Sequence, residues 1–135
     1  LIAVDSSALV AIFLEELHGP QLLARLAAED ACILSAANYV EAGQVLAQRK
    51  TSNPRQALAE YEGFLQRTGV VIALIDEEQA RVALEARIRY GRGFGHPARL
   101  NYSDCFAYAL TKVRNLPLLF LGDDFTHTDI VSALP

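Results

Sequence analysis

Methionine is absent from all 135 residues, and only two cysteines occur. The missing methionine leads to the expectation that the chain lacks its initiating residue. Cys32 and Cys105 each lie in an apolar segment and form no C-x-x-C pair, so a zinc or redox motif is unsupported. They read instead as buried small hydrophobes in a reducing compartment. No apolar run approaches the roughly 18 residues of a membrane span, and no basic stretch leads into an apolar core with a cleavage site. A soluble, cytoplasmic protein with no membrane contact is therefore expected. Repeats, low-complexity tracts and linkers are also missing, and so short a chain predicts one domain over residues 1–135.

What is present is enough for a core. Hydrophobic residues make up 52% and charged residues 21%, which excludes a disordered chain. A chain of this size buries roughly 68–70% of its unfolded surface without staples. The net charge of −4 argues at first against a nucleic-acid partner. Its distribution argues the other way. Between Gln79 and Arg114, seven basic side chains face only Glu85 and Asp104, a local net charge of +5. A basic flank beside an acidic site suits a polyanion held near metal ions, while a solvated Arg-rich helix face is the plainer account.

Four short apolar runs, Leu1–Val4, Ala31–Leu34, Val70–Ile75 and Leu118–Leu121, are continuous rather than alternating. That pattern predicts strands buried on both faces of a parallel sheet. Between them the period becomes helical. Ser35 can cap a helix over Ala36–Lys50, and Thr51-Ser-Asn-Pro54 breaks it before a second helix that Gly69 closes. Asp76 can cap a helix over Glu77–Tyr90; a Gly/Pro-rich loop follows, and Asn101 or Ser103 opens a helix to about Arg114. Strands alternating with helices predict an α/β fold, a three-layer α/β/α sandwich with a mainly parallel central sheet.

That topology turns scattered acids into a spatial prediction. Strand C-termini and the following helix N-termini share one edge, where ligands bind. Asp5 ends the first strand, Asp123 and Asp124 follow the last, Asp104 lies in a first helical turn and Glu41 in a second. Each acid has an ordinary explanation taken singly: turn residues for Asp123 and Asp124, a dipole acid for Asp104, a solvated glutamate for Glu41. Asp5 is harder to dismiss, because ending a strand requires no carboxylate. Together, buried carboxylates repel unless a cation neutralises them, and an oxygen-only set without His or Cys points to Mg²⁺ or Mn²⁺.

The motifs carry a resemblance. Val4-Asp5-Ser6-Ser7-Ala8-Leu9 looks like the start of a PIN domain, in particular of the VapC toxins of bacterial toxin–antitoxin pairs. His96-Pro97-Ala98-Arg99-Leu100-Asn101-Tyr102-Ser103-Asp104-Cys105-Phe106-Ala107-Tyr108 is similar to that family's third acidic motif, and Leu121-Gly122-Asp123-Asp124-Phe125 with Thr128-Asp129-Ile130 resembles its last. The resemblance implies a PIN-like sandwich and a Mg²⁺-dependent ribonuclease, with Mn²⁺ able to substitute. Metal-activated water would hydrolyse an RNA phosphodiester, leaving a 5′-phosphate and a 3′-hydroxyl. Asp5 and Asp104 would be the principal metal ligands, with Glu41 completing that shell or holding it in place. Asp123 or Asp124 would be the fourth acid, and the Ser6 hydroxyl would support the site. Arg87, Arg89, Arg92, Arg99 and His96 are candidates for holding the RNA backbone. A VapB-type antitoxin covering the acidic cleft and a homodimer are further implied, with the helices from Ala36 to Leu65 able to supply either interface. A non-catalytic PIN-like module binding RNA or protein is the alternative. A haloacid dehalogenase-type phosphatase would need a second acid where Ser7 stands, and a phosphoacceptor receiver domain a lysine near the last strand.

Overall fold

The computed structural model describes residues 1–49 and 53–135. In chain order it contains β1 (Ile2–Val4), α1 (Ser6–Phe13), α2 (Gly19–Ala27), β2 (Cys32–Ser35), α3 (Ala36–Arg49), α4 (Pro54–Thr68), β3 (Val70–Ala73), α5 (Glu77–Tyr90), α6 (Tyr102–Arg114) and β4 (Leu118–Leu119). The expected end of α3 at Lys50 and the break at Thr51 and Ser52 lie outside the described residues. The strands form one sheet in the order β3-β2-β1-β4, and every neighbouring pair is parallel.

Alternation along the strands divides the core in two. Ile2, Val4, Cys32, Leu34, Val70 and Leu119 face α1–α4, where Leu9, Leu22, Leu46 and Tyr61 complete one apolar layer. Ala3, Ile33 and Leu118 face α5 and α6, where Tyr90, Leu100, Tyr108 and Leu110 complete the other. The three-layer α/β/α sandwich is therefore present. Cys32 and Cys105 are both buried free thiols, as expected. No helix among the described residues is long and apolar enough to cross a membrane.

Local signals account for most helix ends. Asn53 caps α4 ahead of Pro54, accepting the Gln56 N–H at 3.2 Å, and Gly69 closes that helix in the left-handed region at φ +72°. Asp76 caps α5 through the Gln79 N–H at 2.8 Å. Two expectations need correction. Ser35 does not cap α3; it pairs with Ala73 as the last residue of β2, and its buried hydroxyl has no hydrogen-bond partner. The third apolar run is not buried on both faces. It forms an edge strand, stops at Ala73, and leaves Val71 at 59% and Ile72 at 40% exposure, because α6 lies over β1 and β2 instead. The last strand is also shorter than expected, ending at Leu119.

Leu34 is fully buried at the centre of the larger layer. Leu34→Ala is expected to lower unfolding stability by about 2–5 kcal/mol in a urea titration, through lost burial and the cavity left behind.

Candidate active site

β1 runs between β2 and β4, so the residue after it stands in the middle of the sheet's C-terminal edge. That residue is Asp5. It is 2% exposed and serves as the N-cap of α1, its Oδ2 accepting the Ser7 N–H at 3.0 Å. Its Oδ1 is buried with no hydrogen-bond partner. Asp104 comes to the same edge from α6. There a reciprocal cap holds it: the Asp104 N–H donates to Asn101 Oδ1 at 2.9 Å, and the Asn101 N–H donates to Asp104 Oδ2 at 3.0 Å.

Glu41 arrives from the second turn of α3. One carboxylate oxygen accepts the Ser6 hydroxyl and the other the Ser103 hydroxyl. The loop after β4 turns at Gly122 with φ +102°. Asp124 borders the cleft, while Asp123 turns the chain, its carbonyl accepting the Thr126 N–H at 3.1 Å. Asp129 is engaged elsewhere, by the Tyr108 hydroxyl at 2.8 Å and Lys112 Nζ at 2.9 Å. Asp5, Glu41, Asp104 and Asp124 thus border one open cleft of about 330 Å³.

The electrostatics follow from burial. Removal from water pushes the Asp5 carboxyl up to about 6; the Ser7 hydrogen bonds oppose this, and the Glu41 and Asp124 charges reinforce it. Asp104 is pushed up to about 7, again chiefly by burial and then by the Asp5 charge beside it. Among the described residues no three His, Cys, Asp or Glu side chains already close into a ligand cage. The carboxylates border an open cleft, and an all-oxygen donor set with one orphaned buried acceptor suits a hard divalent cation, Mg²⁺ or Mn²⁺.

The expected basic residues are not brought here. Arg87 donates to the Leu100 carbonyl at 2.7 Å and stacks over Phe94, and Arg89 lies over the Tyr90 ring. His96 Nδ1 accepts the Ala98 N–H at 3.0 Å, which makes its turn. Arg92 and Arg99 are exposed in the Gly/Pro-rich loop, and none of the five lines the cleft. Among the described residues the basic side chain that does is Arg49, which sequence reasoning missed. The signal was available: Glu41, Val45 and Arg49 recur every four residues on α3, and all three line the cleft. Asn38 and Ser103 were missed as well. Asn38 is a fully buried polar residue one turn before Glu41, and its Nδ2 donates to the Ser103 carbonyl at 3.1 Å.

Residues 2–131 match the family model described as PIN domain. The chain is 43% identical to Ribonuclease VapC42 of Mycobacterium tuberculosis over 94% of this chain and 95% of that one. It is 41% identical to Ribonuclease VapC28 of the same organism, over 97% and 96%. Among solved structures it is similar to M. tuberculosis VapC20, a sarcin–ricin loop cleaving toxin, with TM-score 0.78, 19% identity and full coverage of both chains. A toxin–antitoxin complex from Klebsiella pneumoniae superposes with TM-score 0.69 at 16% identity, over 98% of both chains.

Two carboxyls raised by burial contribute their stability when protonated and lose it as pH rises through about 6 and about 7. In EDTA, the melting temperature should therefore increase as pH falls from 8 to 5. Asp104→Asn keeps the acceptor for the Asn101 N–H but removes the charge. It should stabilise the protein by about 1–3 kcal/mol at pH 8 and progressively less as pH falls toward the ordinary carboxylate range, flattening the pH profile. An unaltered profile would contradict the charge crowding.

Proposed function

The chain belongs to the PIN-domain family, and from that premise we propose that it is a metal-dependent ribonuclease, the toxin of a toxin–antitoxin pair. The observation that carries the reading is the convergence of Asp5, Glu41, Asp104 and Asp124 from four separate chain segments on one cleft, with Asp5 Oδ1 left unpartnered. Crowded carboxylates repel phosphate, so a module that only bound RNA would gain nothing from them. Identity above 40% to proteins named ribonucleases supports the same substrate class.

Asp5 and Asp104 would hold Mg²⁺, for which Mn²⁺ can substitute, and Asp124 would stand at the rim. When bound there, the cation supplies charge neutralisation and activation of the hydrolytic water. The residues of the chain do the rest. The Ser7 N–H orients Asp5, the reciprocal cap with Asn101 orients Asp104, and the Ser6 hydroxyl orients Glu41. Arg49, exposed at the end of α3 and bordering the cleft, would hold a phosphate of the RNA backbone beside the one that is cut. Hydrolysis breaks the bond from phosphorus to the 3′ oxygen, leaving a 5′-phosphate and a 3′-hydroxyl. The partner would be a VapB-type antitoxin whose C-terminal segment covers the acidic cleft with an arginine against the carboxylates. A homodimer is part of the proposal, using the apolar surface that includes Val40 on α3 and Leu58 on α4.

Labelled RNA incubated with purified protein should be cut in Mg²⁺ and left intact in EDTA. Asp5→Asn and Asp104→Asn should each reduce cleavage by about 100-fold or more. Equal cutting by either variant would overturn the assignment of the site. Arg49→Ala should weaken RNA binding and lower the slope of log K against log salt by about 1. The pair Arg89→Ala with Arg92→Ala, away from the cleft, should change that slope less.

A further inference from the structure

Building on the ribonuclease reading, we propose that Ser103, held by Asn38, is a positioning residue that sets the distance between the two buried aspartates through Glu41. The connectivity carries it. Ser6 is the chain neighbour of Asp5, and Ser103 is the chain neighbour of Asp104. The two serine hydroxyls reach opposite oxygens of the same Glu41 carboxylate. Glu41 is therefore a crossbar between the residue pairs Asp5-Ser6 and Ser103-Asp104, linking α1 and α6 by way of α3. Neither aspartate is tied directly to the other, and their like charges drive them apart.

A crossbar works only if its ends cannot slide. At the α1 end the short step from β1 into the helix fixes Ser6, because Asp5 N–H donates to the Leu119 carbonyl at 2.9 Å. At the α6 end the lock is Asn38. Its Nδ2 holds the Ser103 carbonyl at 3.1 Å, while the Ser103 hydroxyl returns to Glu41 three residues further along the same helix. These two bonds run in opposite senses between α3 and α6, one to backbone and one from a side chain. They close a ring that resists both sliding and rotation of the first turn of α6. Asn38 is fully buried and its Oδ1 has no partner, so this amide is retained in the core for a single bond.

Mn²⁺ binding measured by electron paramagnetic resonance tests this without relying on turnover. Ser103→Ala should weaken Mn²⁺ affinity by about 10-fold, the scale at which partners of a ligand shell act. Ser103→Thr, which keeps the hydroxyl, should restore most of it. The circular-dichroism melt of both variants in EDTA should stay close to that of the parent protein, and cleavage should fall in kcat rather than rise in KM. A Ser103→Ala protein that binds Mn²⁺ and cuts RNA like the parent overturns the inference alone. So does one that melts earlier yet binds Mn²⁺ equally, since that describes a purely structural serine. A parent protein that neither binds Mn²⁺ nor responds to EDTA overturns the metal-dependent reading and this inference with it.

Discussion

The repulsion between buried carboxylates at the end of β1 is the constraint around which the rest of the molecule is arranged. Asp5 is 2% exposed and Asp104 is 5% exposed, and no basic side chain forms an ion pair with either among the described residues. Left to themselves, such groups would turn to water or take up protons. Both instead stand at the C-terminal edge of a fully parallel sheet, each held by a helix cap at the wall of the cleft. The two apolar layers that sandwich the sheet supply the stability against which this unfavourable placement is set.

The placement follows from topology more than from any single contact. A parallel strand must end where its crossover helix begins, so β1 delivers Asp5 and the N-terminus of α1 to one point. Neighbouring strands bring α3 and the loop after β4 to the same level. Helix caps then do two tasks at once. Asp5 satisfies a helix N-terminus with one oxygen and leaves the other unpartnered, and Asp104 uses one oxygen in its own cap with Asn101. Capping oxygen and candidate ligand oxygen belong to the same carboxylate, which orients it without a neutralising partner.

This division explains what could be read from the chain in advance. Apolar runs followed by acids made the sandwich and the convergence of Asp5, Glu41 and Asp104 legible, because both depend on the order of elements and not on side-chain detail. Which of Asp123 and Asp124 borders the cleft was not legible, since it depends on a turn at Gly122 whose left-handed φ no neighbouring residue dictates. The burial of the third strand was misjudged because an edge strand and a central strand can share a composition; the difference lies in where α6 packs. The Arg-rich segment stands apart from the cleft for a related reason. Arg87 is consumed by the Leu100 carbonyl and Phe94, contacts made across the fold, whereas Arg49 reaches the cleft by helical spacing alone.

The choice of groups around Glu41 also follows from the constraint. An arginine or lysine would hold a carboxylate more strongly than a serine, but it would cancel the negative charge that makes the cleft attractive to a cation. A hydroxyl orients a carboxylate through one hydrogen bond and adds no net charge. The four ion pairs among the described residues accordingly lie elsewhere, at Leu1–Glu29, Arg25–Glu29, Arg81–Glu77 and Lys112–Asp129. At the cleft the work is done by Ser6, Ser7, Asn101 and Ser103, all neutral donors. Such a shell leaves the carboxylates oriented and their charge unspent, so that in the proposed ribonuclease a divalent cation would relieve a repulsion that the fold withstands.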